Sequence, residues 1–187
     1  MTKLQNRVLE ISKKFGLTHI GSSLTCVDII SEIYATKKPD EKFVLSNGHA
    51  GLALAVVLFS DDDKIGKMIQ ENIHADSSWC DASTGSLGHG IGISVGMALA
   101  DRSKNVYCMI SDGECAEGSV WESLRIASEQ NLTNLKVYVN ANGWTSYQSV
   151  DLDLLERRLK AFFPVDFRRT KQEEPFIGLH GHYGKIS

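Results

Sequence analysis

Hydrophobic residues recur at helical spacings along much of the chain. The first apolar positions lie four, three and four residues apart, at Leu4, Val8, Ile11 and Phe15. This spacing predicts an amphipathic helix that Gly16 ends. A second helix is predicted from about Thr25, because Thr25 and Asp28 have the spacing of an N-terminal capping box. The small apolar run Gly51–Leu58 predicts a buried helix.

Three short apolar runs predict the strands of a buried parallel sheet. They are Lys42–Leu45, Val106–Ile110 and Leu135–Val139. Between the last two, a helix is predicted from about Ser119 to Gln130, with capping-box spacing at Ser119. A strand, helix and strand within roughly 35 residues form a parallel pair with a right-handed crossover. We therefore predict an α/β fold with three layers, in which helices flank a mostly parallel sheet.

Three further segments have less regular patterns. Small residues dominate residues 85–100, where Gly92 and Gly96 would let a helix approach a neighbour closely inside the fold. The segment Val150–Phe163 predicts one amphipathic helix, and Pro175–Leu179 is strand-like. The part of the chain after about residue 145 therefore provides few predicted elements.

Composition limits the classes of protein and partner. The chain has 187 residues, of which 42% are hydrophobic and 23% charged, as in ordinary globular proteins. This size predicts a single domain over residues 1–187. A formal net charge of −3 provides no electrostatic footprint for nucleic acid or for an anionic membrane surface. We expect neither as a partner.

The absence of targeting signals and the spacing of the cysteines indicate a cytoplasmic protein. The longest apolar stretches, Leu52–Phe59 and Ile91–Ala100, reach roughly half of the about 20 residues that a membrane helix needs. The first seven residues lack the apolar segment of a secretory signal. The four cysteines contain no Cys-x-x-Cys pair, so we expect reduced and mostly packed thiols.

Polar clusters follow each of the three predicted strands. They are Asn47-Gly48-His49, Asp112-Gly113-Glu114 and Asn140-Ala141-Asn142. Ligands bind outside the carboxyl ends of parallel strands, so the three clusters together predict a site. The Asp112 carboxylate and the Asn142 amide are ligands for Mg²⁺ or Ca²⁺ rather than for zinc. Because Mg²⁺ keeps few protein ligands, such a pair suits a metal that also binds a diphosphate.

Five segments together resemble the diphosphate-binding half of transketolases. One of them resembles the thiamine diphosphate motif. It consists of Ser111-Asp112-Gly113, a spacer of 26 residues and Asn140-Ala141-Asn142, and Ser111 replaces the usual first glycine. The other four follow the family's order and are His19–Ser23, Leu45–His49, Ser83–Gly90 and Glu114–Glu122. The chain is therefore similar to the N-terminal subunit of a split transketolase, shortened after about residue 145.

The resemblance implies a set of site residues. Asp112, Asn142 and the Trp144 carbonyl would bind the metal, Mg²⁺, with Ca²⁺ or Mn²⁺ as substitutes. The residues implied to bind thiamine diphosphate are His49, Gly85, Ser86, Leu87, Asp112, Gly113, Glu114, Asn142 and Trp144. Those implied to take part in catalysis are His19, His49, His74, Glu117 and His182, with His180 as the alternative to His182. In the family, the glutamate corresponding to Glu117 lies at a subunit interface.

The implied activity is the transfer of a two-carbon ketol unit between sugars or sugar phosphates. In the family, a glutamate on a separate pyrimidine-binding domain activates the cofactor, and a chain of this length does not contain that domain. The resemblance thus implies a separately encoded C-terminal subunit and an α₂β₂ assembly. Two alternatives remain: a synthase of the deoxyxylulose-phosphate type, and a non-catalytic subunit that binds the cofactor or regulates a partner.

Overall fold

A four-stranded parallel sheet forms the centre of the computed structural model, which describes residues 1–145 and 148–186. The strands are β1 (Lys42–Leu45), β2 (Val106–Ser111), β3 (Leu135–Ala141) and β4 (Val165–Arg169), and they lie side by side in that order. The predicted α/β fold and the first three strands are confirmed. The edge strand β4 was not predicted, because its half-buried residues show no continuous apolar run.

Helices cover both faces of this sheet. They are α1 (Lys3–Phe15), α2 (Ile20–Thr36), α3 (Gly51–Leu58), α4 (Asp62–Glu71), α5 (His89–Ala100), α6 (Gly118–Glu129), α7 (Leu152–Phe162) and α8 (Gly178–Tyr183). One hydrophobic cluster joins α1 to α4 with Phe43, Leu45 and Met109 of the sheet. A second joins α5, α6 and α7 with the opposite face, through residues such as Cys108 and Val139. Alternate side chains of the same strands therefore supply both cores.

Two predicted capping boxes are absent, and one predicted helix start is wrong. Helix α2 begins at Ile20 rather than near Thr25, and the Thr25 hydroxyl donates to the Gly21 carbonyl from within the helix. Helix α6 begins at Gly118 without a side-chain cap, so Ser119 starts no capping box. A capping box does exist at Thr2, whose side chain accepts from the Gln5 backbone N–H. Capping spacing alone did not separate these cases, because Ser and Thr are also common inside helices.

Gly92 and Gly96 of α5 face outward, contrary to the prediction that they pack inside the fold. Residues such as Ile91, Val95 and Ala98 are buried, whereas Gly92 and Gly96 are exposed. Around them Ile93 is 37% and Leu99 39% exposed. Helix α5 contains no Asp, Glu, Lys or Arg, so an uncharged, largely apolar face meets solvent. We call Gly92, Ile93, Gly96 and Leu99 the α5 face.

The C-terminal segment returns to the carboxyl end of the sheet. The predicted helix after residue 150 is confirmed as α7, but Pro175–Leu179 is a turn that leads into α8 rather than a strand. The His19 backbone N–H donates to the His182 carbonyl at 2.8 Å, which attaches α8 to the start of α2. All four cysteines are free, as expected. Within the described ranges, none of the helices has the length and apolarity to span a membrane.

Candidate functional site

A cleft of about 290 Å³ lies at the carboxyl end of the sheet. Eleven of the thirteen predicted site residues line it, namely His19, His49, His74, Gly85, Leu87, Asp112, Gly113, Glu117, Asn142, Trp144 and His182. They come from six separate elements and loops, so the fold brings together residues as distant in sequence as His19 and His182. A larger groove of about 920 Å³ lies at the amino ends of β3 and β4 and contains none of them.

Asp112 is the buried acid of this cleft. It follows β2, next to the end of β3, and its side chain is only 3% exposed. One carboxylate oxygen accepts from the Gly113 backbone N–H at 2.9 Å, and the other accepts from Gly143 at 2.6 Å. Burial raises the pKa of Asp112 to about 6, and these backbone donors only partly offset that rise. A cation at this carboxylate would remove the cost of burying its charge.

The neighbouring oxygen atoms fit a hard cation. The Asn142 side-chain oxygen accepts from the Trp144 N–H at 3.0 Å, which positions the amide at the end of β3. A Cβ atom added to Gly113 would lie 3.7 Å from the Trp144 carbonyl oxygen, so this carbonyl lies close to the turn after Asp112. One carboxylate and two neutral oxygens suit Mg²⁺ completed by phosphate and water. Among the described residues, no three His, Cys, Asp or Glu side chains form a metal-binding group.

Three histidine rings pack together on the opposite wall. The centroid of the His19 ring lies 4.1 Å from that of His182 and 5.4 Å from that of His49. His19 has a left-handed backbone, with φ 59°, which is uncommon for a residue other than glycine. Its hydrogen bond to the His182 carbonyl stabilises this conformation. The C-terminal segment therefore contributes to the shape of the site, and of the two candidates it is His182 that lines the cleft.

Hydroxyl groups hold one nitrogen of two of these rings. The Thr18 oxygen lies 2.9 Å from His19 Nδ1, and the Ser22 oxygen lies 3.2 Å from His49 Nε2. The other ring nitrogen of each histidine is then the one available to a ligand. Burial and the neighbouring imidazoles lower the pKa of His19 to about 4 and that of His49 to about 3. Both rings are therefore neutral at pH 7 and can both donate and accept hydrogen bonds.

His74 meets the loop before α5. A Cβ atom at Gly85 would lie 2.9 Å from the His74 ring, closer than a side chain allows. Only glycine therefore lets this loop pass beside the ring. His74 lines the same cleft as His49.

Some predicted residues lie outside the cleft lining. The Ser86 side chain is exposed, and the Glu114 side chain is turned into the interior. Glu117 is exposed at the rim of the cleft, at the start of α6. His180 stacks on Phe176 at 6.0 Å and is absent from the lining. These placements separate residues that can touch a ligand from residues that can only act on it indirectly.

The structure adds residues to the site that motif spacing did not indicate. They are Ser22, Ser111, Ala116, Thr145, Gln148, Gln172 and Gly178. The Gln172 side-chain oxygen accepts from the Gly178 N–H at 2.9 Å and so holds the start of α8. Ser22, Ser111 and Ala116 lie inside motif segments named above, but no role had been assigned to them. No sequence signal distinguishes Gln172 from other glutamines in loops.

The histidine cluster predicts a pH-dependent stability. Because the pKa of His49 is lowered in the folded chain, the unfolded chain alone binds protons as the pH falls below about 6.5. The free energy of unfolding should therefore fall between pH 7 and pH 5, and His49→Asn should reduce this fall by about 1 kcal/mol after allowance for solvent screening. Urea titrations at both pH values measure it.

Comparing variants separates the contribution of His49 to the pH dependence of stability from that of Asp112. Asp112 acts with the opposite sign, because its raised pKa makes the folded chain bind a proton more readily below about pH 6. His89→Asn, at an exposed histidine outside the cluster, provides the control for removing an imidazole. An equal fall in His49→Asn and in the unaltered chain would contradict the prediction.

Comparisons with known proteins show which sequences this chain resembles. A family model described as 1-deoxy-D-xylulose-5-phosphate synthase matches residues 1–162. One subunit of the apulose-4-phosphate transketolase of Phocaeicola vulgatus is 28% identical, over 86% of this chain and 67% of that protein. The 6-deoxy-6-sulfo-D-fructose transketolase subunit SqwG of a Clostridium strain is 31% identical, over 87% of this chain and 66% of that protein.

A solved transketolase structure has a similar fold. The crystal structure of transketolase from Campylobacter jejuni superposes with a TM-score of 0.73 at 19% identity, over 96% of this chain and 39% of the other. This chain thus spans about two thirds of the two subunits and a smaller part of that transketolase. With the family model covering residues 1–162, the chain belongs to the transketolase-like family of 1-deoxy-D-xylulose-5-phosphate synthase N-terminal domains.

Proposed function

We propose that this chain is the diphosphate-binding subunit of a transketolase that depends on thiamine diphosphate and Mg²⁺ and transfers a two-carbon ketol unit between sugars or sugar phosphates. The cleft carries this proposal, because it combines a buried carboxylate and neutral oxygens with a wall of uncharged histidines. The names of the two subunit relatives support the same class of reaction.

The acid end of the cleft would hold the metal and the cofactor. Asp112, Asn142 and the Trp144 carbonyl would bind Mg²⁺, and the backbone at Gly85 and Gly113 would lie against the diphosphate. In the described part of the cleft no lysine or arginine is present, so the metal and backbone N–H groups would carry the recognition of phosphate. When bound, the cofactor supplies a centre that stabilises the carbanion formed on cleavage of a carbon–carbon bond.

The histidine wall would act on the sugar. His19, His49 and His74 would donate hydrogen bonds to the ketose oxygen that gains negative charge, and they would exchange protons with its hydroxyl groups. Neutral imidazoles, which burial favours at His19 and His49, suit this work because one ring nitrogen donates a hydrogen bond and the other accepts one. The Thr18 and Ser22 hydroxyls would orient two of the rings.

A second polypeptide is part of this proposal. The α5 face is uncharged and exposed, and a Cβ atom at Gly96 would have nothing within 4 Å, so a partner's surface could approach the helix backbone. Glu117, on the rim between this face and the cleft, would then lie at the interface. An α₂β₂ assembly with a pyrimidine-binding subunit would complete each site.

Reconstitution tests the proposal. The purified chain alone should transfer no ketol units, and addition of a separately encoded pyrimidine-binding subunit that co-purifies with it should restore transfer. The readout is the appearance of the lengthened aldose with thiamine diphosphate and Mg²⁺ present. Full activity of the chain alone would refute the need for a partner, and an inactive but intact complex would refute the proposed reaction.

Gly96→Leu provides the matched control for assembly. Because Gly96 is inside a helix and faces open space, leucine should raise helix propensity by up to about 1 kcal/mol and leave the isolated chain stable. The same side chain should block close approach, so the variant should fold but neither bind the partner nor restore transfer. Normal assembly of this variant would place the interface elsewhere.

A second candidate is a synthase of the deoxyxylulose-phosphate type. The description of the matching family model favours it. Such an enzyme takes pyruvate as donor and releases CO₂, whereas ketol transfer from a sugar does not. Release of CO₂ from pyruvate by the reconstituted complex, without ketol transfer between sugars, would decide for the synthase.

A further inference from the structure

Glu114 is a buried carboxylate that joins three segments of the chain. Its side chain is 0% exposed and accepts hydrogen bonds from the Ser46 hydroxyl, the Gly88 N–H at 2.8 Å and the Ser111 N–H at 3.2 Å. Ser46 in turn accepts from the Ile91 N–H at 3.2 Å, in the first turn of α5. Burial of a charged group is costly and holds the pKa of Glu114 above its usual range, although these three donors offset part of that cost.

Each of the three segments continues into a wall of the cleft. Ser46 follows β1 and is three residues before His49. Gly88 ends the loop that contains Gly85 and Leu87, and Ser111 immediately precedes Asp112. Glu114 itself does not line the cleft. Its carboxylate therefore lies behind the site. There it connects the segments that carry His49, the Gly85–Leu87 loop and Asp112.

The glycine loop has little freedom to move relative to these supports. Gly88 has φ +80°, and a Cβ atom there would lie 2.2 Å from the Ser119 hydroxyl oxygen. A Cβ atom at Gly90 would lie 2.5 Å from the Ser46 Cα. The backbone around Gly88 thus packs directly on the segments that Glu114 joins, so loss of the carboxylate should displace the loop rather than be absorbed by side-chain motion.

We infer that Glu114 is a positioning residue, which sets the spacing between His49, the Gly85–Leu87 loop and Asp112 and thereby determines cofactor affinity without touching the cofactor. The nature of the ligand rests on the proposed function, whereas the positioning does not. A carboxylate suits this task because it only accepts hydrogen bonds and here meets three donors.

Glu41 provides a matched control. It is 5% exposed and accepts from the Lys38 N–H at 2.8 Å, the Asn105 amide at 2.7 Å and the Tyr107 hydroxyl at 3.3 Å. It is thus a second buried carboxylate with three donors. However, it lies at the amino ends of β1 and β2, away from the cleft. Any general cost of losing a buried carboxylate should appear in both variants.

The experiment compares Glu114→Gln with Glu41→Gln in the full chain. Glutamine keeps the shape of the side chain but turns an N–H₂ group toward a backbone donor. Both variants should lose stability in urea titrations. Only Glu114→Gln should weaken thiamine diphosphate binding in Mg²⁺, by about tenfold or more in calorimetry, while Glu41→Gln stays close to the unaltered chain. Unchanged affinity in Glu114→Gln, or an equal loss in Glu41→Gln, would overturn the inference.

A spectroscopic readout separates this inference from the proposed function. In ¹H–¹⁵N spectra without ligand, Glu114→Gln should shift the amide signals of His49, Gly85 and Leu87, and Glu41→Gln should not. If neither the unaltered chain nor its complex with the partner subunit binds thiamine diphosphate, the proposed function fails and these signals still decide the positioning role. If Glu114→Gln does not fold, Ser46→Ala removes one donor and should shift the same signals; unmoved signals in it would overturn the inference.

Discussion

Asp112→Asn should weaken the binding of thiamine diphosphate in the presence of Mg²⁺ by at least about a hundredfold, since even groups that only orient a metal ligand are worth about tenfold to a hundredfold. The reason is the position of the carboxylate, which is 3% exposed and has only neutral backbone donors among its described hydrogen-bond partners. Asparagine keeps the size but not the charge that attracts the cation. Calorimetric titration of the purified chain measures the change.

Asp101→Asn is the control for this experiment. Asp101 is an exposed carboxylate in the loop between α5 and β2, at the end of β2 that is opposite the cleft. It accepts hydrogen bonds from Ser103. Its replacement should leave the affinity unchanged. If Asp112→Asn binds the cofactor as the unaltered chain does, Asp112 is not a metal ligand and the proposed arrangement of the acid end is wrong.

His49→Asn should lower the turnover of the reconstituted complex by a factor of about 10² to 10⁴, as removal of a general acid or base typically does. The His49 ring lies 5.4 Å from that of His19 and 5.5 Å from that of His182, centroid to centroid, so it belongs to the histidine cluster. The measurement is the rate of ketol transfer at saturating substrate, with cofactor affinity determined separately by calorimetry.

Ser22→Ala distinguishes orientation from proton transfer. It removes the hydroxyl that lies 3.2 Å from His49 Nε2 but leaves the imidazole in place. A smaller loss of turnover than in His49→Asn is therefore expected, together with a changed pH profile. Equal turnover in His49→Asn and the unaltered complex would exclude His49 from the chemistry.

Part of the cleft could be predicted because its residues follow strands directly. Asp112 comes after a six-residue strand without an exposed position, and Asn142 follows β3 in the same way. Once two neighbouring strands are known to be parallel, their carboxyl ends must meet at one edge. The same reasoning applies to His49 after β1. Local sequence therefore placed these side chains near one another before any tertiary contact was known.

Other features could not be read from local patterns. β4 is an edge strand with half-exposed residues, and its pairing with β3 depends on the preceding course of the chain. The small residues of α5 suit close packing in either direction, and only the position of α6 and the sheet shows which side of the helix is covered. The direction of the Glu114 side chain could not be predicted either, because its donors Ser46 and Gly88 are distant from it in sequence.

By itself, the sequence determined the parallel α/β fold, the acid and amide at the ends of β2 and β3, and the likeness to the transketolase family. These follow from the short-range spacing of residues, which does not depend on contacts with distant parts of the chain. Only the tertiary structure decided that His182 packs on His19, that Glu114 lies behind the cleft and that the α5 face is open to solvent. Each of these depends on contacts between segments far apart in the chain, and local periodicity carries no information about such contacts.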